Sequence, residues 1–241
     1  MVHWMLLAAC TGDINKGKDD TGEVERPERY SLINLDTRDG ETLEADFIAA
    51  FEADRPGVVL LHMNPESNDR TNWPVDFVNE LAERNWGVIV PDRRGTGGST
   101  GTASAAFLGD AGRYDVEACV NHLLENGARN ISIVAASNGT TSALDYAVWG
   151  PTESLPAPLA MVFMTGGNYT ENNTEMSALS IEHALFTYST AEKAWSEMQT
   201  ALDPGTWQFN EYSDGDHGTR MFDAVPEVSQ EIEDWLATRL G

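Results

Sequence analysis

Lysine is almost missing from this chain. Only Lys16, Lys18 and Lys193 occur, and with arginine they make 15 basic residues against 39 acidic ones, a formal net charge of −24. Such a balance repels phosphate backbones and anionic headgroups, so binding to nucleic acid or to an anionic membrane surface is excluded. Cysteine is scarce as well, with Cys10 and Cys119 alone. Cys119 falls in a helical pattern and reads as a small buried apolar residue, and a disulfide to Cys10 is the poorer account of the pair. Beyond the N-terminal segment no apolar run approaches the length of a membrane span. Phosphate-cradling glycine motifs are absent too. The stretch Gly95 to Gly101 does not fit G-x-G-x-x-G, and no G-x-x-x-x-G-K-[ST] lysine exists, so that stretch reads as a turn after a strand. No segment repeats.

What is present begins with Trp4-Met5-Leu6-Leu7-Ala8-Ala9-Cys10, which resembles a bacterial lipoprotein lipobox. The run is short and no Lys or Arg precedes it, and a start codon further upstream accounts for both departures. The resemblance implies that residues 1–10 are an export segment and that Cys10 carries a lipid. The expected location is the cell envelope of a bacterium, lipid-anchored or else periplasmic or secreted. Residues 11–29 are polar and nearly devoid of apolar side chains, and read as a disordered acidic tether holding a domain clear of the membrane. Residues 30–241 are long enough for one domain with a sizeable core. Acidity with little lysine suits salty water, where carboxylates stay hydrated.

Within 30–241, two strands over 30–37 and 42–51 flank a turn at Asp39-Gly40, the signal of a hairpin. Val58 to His62 is a continuous apolar strand of the kind buried on both faces. A helix follows on Val75, Val78, Leu81 and Ala82, then a strand over Trp86 to Asp92. A second helix is expected over 109–126, with Val116, Val120 and Leu124 on its buried face. Strands are also expected over 131–136, 159–164, 184–188 and 207–212. A terminal helix should carry Phe222, Val225, Val228, Ile232, Trp235 and Leu236 on one face. Alternation of strand and helix with short connections predicts an α/β fold: a mainly parallel central sheet, helices on both faces, and an antiparallel hairpin at the N-terminal edge.

The chain is organised around Ile131-Ser132-Ile133-Val134-Ala135-Ala136-Ser137-Asn138-Gly139. An apolar strand runs into a serine between small residues, and a helical segment follows, which predicts a strand, a tight turn and a helix with Ser137 at the apex. Small residues are needed on either side because such a turn presses strand and helix together. The bland alternative is a buried strand ending in a Ser-Asn turn.

Taken with its neighbours, this stretch resembles the α/β-hydrolases over nearly all of residues 30–241. Ala135-Ala136-Ser137-Asn138-Gly139 is similar to the family's G-x-S-x-G elbow, with Ala135 a one-methyl departure. His62-Met63 ends the third strand where the family often has His-Gly. Asp92-Arg93-Arg94-Gly95-Thr96-Gly97-Gly98-Ser99 resembles its Asp-x-Arg-Gly-x-Gly-x-Ser loop, and Asp216-His217-Gly218 opens the last helix as its catalytic histidine does.

A serine hydroxyl is a poor nucleophile until a base takes its proton. Of the five histidines, His3, His62, His122 and His183 each have a sufficient structural or surface reading. His217, in a loop of Ser, Asp and Gly, is the candidate base. The family's order puts the acid between serine and histidine, which points to Glu192 just past the seventh strand; Asp203, Asp214 and Asp216 are the rivals. The resemblance also implies an oxyanion hole from the backbone N–H groups of Met63 and Asn138, with the Met63 side chain narrowing the acyl pocket.

Connections too short for a helical cap domain predict an open site suited to small, soluble esters. The expected activity is that of a carboxylesterase-type serine hydrolase working through a Ser-His-Glu triad and an acyl-enzyme, with no cofactor or metal. A peptidase, a polysaccharide deacetylase, or a catalytically silent fold used for binding are the alternatives. The expected partner is a small ester, with any membrane contact made through a lipid on Cys10.

Overall fold

The computed structural model describes residues 26–63, 68–167, 176, 179 and 181–241. The export segment, Cys10 and most of the tether lie outside the described residues. The end of the tether does not: Arg26 is ion-paired to Asp46 at 2.6 Å, and Arg29 donates to the carbonyls of Ala49 and Ala82. The domain therefore engages the chain a few residues earlier than hydrophobicity alone indicates.

The strands are β1 (Tyr30–Asp36), β2 (Thr42–Ile48), β3 (Arg55–Leu61), β4 (Gly87–Pro91), β5 (Ala128–Ala136), β6 (Ala160–Met164), β7 (His183–Ser189) and β8 (Gln208–Tyr212). They form one eight-stranded sheet in the order β1-β2-β4-β3-β5-β6-β7-β8. The hairpin β1–β2 and the β2–β4 pair are antiparallel and every other pair is parallel. The helices are α1 (Val75–Glu83), α2 (Ala103–Phe107), α3 (Gly112–Glu125), α4 (Gly139–Trp149), α5 (Ala194–Gln199), α6 (Met221–Ala224) and α7 (Glu227–Leu240).

Strand side chains alternate between two cores, which explains why the central strands are apolar throughout. Val59, Leu61, Ile133, Ala135, Met161, Phe163 and Phe186 point to one side, under α3, α4 and α5. Val58, Leu60, Val134, Ala136, Val162 and Leu185 point to the other, under α1, α6 and α7. This is the expected α/β architecture, helices on both faces and the hairpin at one edge.

Two expectations are corrected. The buried stripe of α3 is Val116, Cys119, Val120 and Leu123, while Leu124 is 37% exposed. A strict spacing of four drifts off a 3.6-residue face, and mixed steps of three and four, from Val116 to Cys119 or Val120 and on to Leu123, stay on it. The terminal helix is in fact two, because Pro226 lacks the N–H that would continue α6 and instead begins α7. His217 accordingly opens a short 3-10 turn, Gly218–Arg220, ahead of α6.

Between α4 and β6 the chain makes one 3-10 turn, Gly150–Glu153. Among the described residues no helical cap domain is inserted over the C-terminal edge of the sheet, where the ends of β3, β5, β6 and β7 meet.

Candidate active site

Ser137 stands at the end of β5 with φ 50°, in the left-handed region that non-glycine residues rarely adopt. Tight packing enforces it. A Cβ at Gly139 would lie 2.5 Å from the carbonyl oxygen of Leu61 and 2.8 Å from that of His62, so the start of α4 is pressed onto the end of β3. The Ser137 N–H donates to the Met164 carbonyl at 2.8 Å, and its own carbonyl accepts from Thr140. Ala135, fully buried between Leu61 and Phe163, fits where the motif has glycine. The turn places Ser137 at the N-terminus of α4, where the aligned peptide dipoles favour negative charge.

The structure brings three of the expected residues into one line. Ser137 Oγ is 2.6 Å from His217 Nε2, and His217 Nδ1 is 2.9 and 3.0 Å from the two oxygens of Glu192. An ionised carboxylate only accepts, so Nδ1 carries the proton and donates to Glu192, leaving Nε2 to accept the serine hydroxyl. Glu192 comes from a 3-10 turn, Thr190–Glu192, directly after β7. Its rivals are engaged elsewhere. Asp203 accepts the N–H groups of Gly205, Thr206 and Trp207, Asp214 meets Ser213, and Asp216 faces Arg220 and the N–H of His217.

Two further contacts hold the histidine loop. The Gly218 N–H donates to Thr165 Oγ1 at 3.2 Å. Thr165 directly follows β6 with φ 52°, an uncommon conformation for a β-branched residue, and its N–H is tied to the Thr187 carbonyl. A Cβ on Gly218 would run into the Met63 side chain and come within 3.5 Å of Ser137 Cβ. Met63, 5% exposed, is thus packed beneath the histidine loop. Its thioether supports Gly218.

Beside Ser137 lies a buried polar layer. His62 is completely buried, and its Nε2 accepts the Arg93 backbone N–H at 2.9 Å, so the proton sits on Nδ1, which donates to the Met63 carbonyl at 2.6 Å. Burial above all, with the Arg93 charge second, holds this imidazole down at about 3, so it is neutral. Arg94 pairs with Asp115 and Asp39, and burial raises the Asp115 carboxyl despite that pairing. Asp92 accepts from the N–H groups of Arg70 and Gly98 and pairs with the Arg70 guanidinium. The glycine-bearing loop after β4 is a turn, as expected, but one filled with buried charge. Sequence reasoning passed over Thr165 and Arg93. A doubled arginine directly after Asp92 was the one available signal for the second.

Among the described residues no cluster of His, Cys, Asp and Glu has the arrangement of a metal site. No protein-family model and no curated protein matches the chain. Solved structures do. An esterase of Pyrococcus furiosus superposes with a TM-score of 0.72 at 14% identity, covering 88% of this chain and 93% of its own. An α/β serine hydrolase without lid from Xanthomonas campestris gives 0.68 at 13% identity, over 89% of this chain and 97% of its own. Dienelactone hydrolase of Anabaena variabilis gives 0.65 at 14%, over 88% and 98%. Strand order, elbow position and these likenesses together establish that the chain has the α/β-hydrolase fold, with no cap domain among the described residues.

Proposed function

We propose that this protein is a serine hydrolase of small carboxylic esters. The observation that carries the reading is the unbroken hydrogen-bonded line from Ser137 through His217 to Glu192. Ser137 Oγ attacks the ester carbonyl as its proton passes to His217 Nε2. The C–O bond to the alcohol then breaks, with that proton going to the leaving oxygen. Water, deprotonated by the same imidazole, attacks the acyl-enzyme; the acyl C–Oγ bond breaks, the proton on Nε2 returns to Ser137 Oγ, and the acid is released. Glu192 keeps the proton on Nδ1 and stabilises the imidazolium. The oxyanion is assigned to the backbone N–H groups of Met63 and Asn138, a donor of this kind being worth roughly 3–4 kcal/mol in a measured protease. Neighbours named as esterases support the class, and the absence of a cap among the described residues favours small substrates. Attachment to a bacterial envelope through Cys10 remains part of the proposal, resting on the sequence of residues 4–10.

The test is hydrolysis of a graded acyl-chain ester panel by the wild type and by Ser137→Ala. Turnover of short esters that disappears in the variant is the expected result. Substantial turnover surviving the change would overturn the mechanism. Failure of the wild type on every ester would favour a binding role for the fold.

A further inference from the structure

Arg93 is 3% exposed, yet no carboxylate is within hydrogen-bond distance of its guanidinium among the described contacts. Asp115 and Asp145 act on it only through space, and burial pulls it down to about 10, leaving it charged at neutral pH. Burying a cation costs several kcal/mol even after relaxation, and hydrophobic replacement is often neutral or stabilising, so stability alone is a weak reason for it. Its hydrogen bonds give a better one. Arg93 donates through one terminal nitrogen to the His62 carbonyl at 3.3 Å, and through the other to Asn138 Oδ1 at 3.1 Å and Ser142 Oγ at 2.8 Å.

The His62 carbonyl belongs to the same peptide unit as the Met63 N–H. That peptide is trans, so a cation on the carbonyl side polarises the N–H on the far side and fixes the plane in which it points. The other anchor, Asn138, carries the second assigned donor on its backbone. One buried guanidinium therefore bridges the two segments that supply the oxyanion hole, one after β3 and one at the head of α4. Its planar fork suits this bridging role better than a point charge would. From this geometry we propose that Arg93 is a positioning residue for the oxyanion hole, clamping peptide 62–63 to the nucleophile elbow and strengthening the Met63 donor. The inference rests on the serine-hydrolase reading above and deepens it.

The test compares wild type, Arg93→Met, Arg93→Lys and Ser142→Ala on a short ester, with binding of a trifluoromethyl ketone whose serine adduct carries an oxyanion. Arg93→Met should lose roughly 10- to 100-fold in kcat, less than deletion of a donor, with KM within about threefold. The ketone should weaken in step with kcat/KM, because it reports transition-state binding. Arg93→Lys should recover part of the loss. Ser142→Ala, which removes one hydrogen bond and leaves the charge in place, should show a smaller loss of the same kind. If Arg93→Met fails to fold, the Arg93→Lys and Ser142→Ala arms decide. Wild-type kcat and ketone affinity in these variants, or losses confined to KM, would overturn this inference while the active wild type keeps the hydrolase reading. A wild type inert toward every ester and the ketone would overturn both.

Discussion

Thr165 and Gly218 are joined by a hydrogen bond from the Gly218 N–H to the threonine hydroxyl oxygen at 3.2 Å, which ties the histidine loop to the end of β6. Thr165 holds φ 52° to do so, and Ser137 on the neighbouring strand is bonded to the residue just before it. Nucleophile and base are thereby referenced to one strand end. Thr165→Val keeps the shape and removes the acceptor, leaving a buried N–H unpaired at a cost of about 1–3 kcal/mol. We predict a lower melting temperature together with a several-fold fall in kcat. Unchanged kinetics in a folded Thr165→Val enzyme would show that the contact does not hold His217.

Glu192 is distinguished from the neighbouring acids by what it touches. Replacing the acid of a triad by its amide favours the wrong imidazole tautomer and costs about 10⁴-fold in a serine protease. Because Glu192 is 40% exposed on its side chain, we expect a smaller effect: Glu192→Gln should cost at least ~10²-fold in kcat with KM little changed. Glu192→Asp should be milder. Asp203→Asn and Asp214→Asn should stay near wild type, and loss of activity in Asp214→Asn with retention in Glu192→Gln would reassign the acid.

His62 makes stability depend on pH. Its folded-state value of about 3 lies below the ordinary 6.5, so the unfolded chain takes up a proton that the native state refuses. The associated stability is complete above pH 6.5 and falls as pH drops toward 3, by up to about 1.4 kcal/mol per pH unit. His122, also lowered by burial but only half buried, adds a lesser part in the same direction. Buried Asp115, whose carboxyl is raised, and the other acids also titrate as pH falls, so the histidine part is read as the difference between wild type and His62→Gln in denaturant titrations between pH 6.5 and about 5.5. The slope should flatten in His62→Gln, and an equal slope would assign it to other groups.

Charge repulsion gives a salt dependence. Among the described residues Lys193 is the only lysine, and it is shared between Glu197 and Glu211. The Debye length shrinks to about 3 Å at 1 M salt, so molar NaCl should screen the excess carboxylates and raise the melting temperature. A flat or falling curve would leave solubility as the only consequence of the acidity.

Much of this site was legible in the sequence because its signals are local. Ser137 announces itself through an apolar strand, a small-residue turn and a helix, all within a short stretch. His217 is marked by a loop of Ser, Asp and Gly, and Glu192 by its place after β7 in the order the family resemblance implied. The bridge made by Arg93 is not local. It joins His62 after β3 to Asn138 and Ser142 at the head of α4, and the doubled arginine after Asp92 marks the place without telling a buried guanidinium from an exposed one. Thr165 was hidden for the opposite reason, since a β-branched residue after a strand argues for extended backbone and only tertiary contacts override that. The break before α7 needed no tertiary information. Pro226 marks it, and the apolar spacing on either side concealed it.

The most direct test of the account is covalent labelling of the native protein with a phosphonofluoridate, read by intact-protein and peptide mass spectrometry. If His217 activates Ser137, the wild type should gain one adduct per chain, located on Ser137, and His217→Ala should gain essentially none in the same time. Modification at a different serine, or equal labelling of Ser137 in His217→Ala, would contradict the triad.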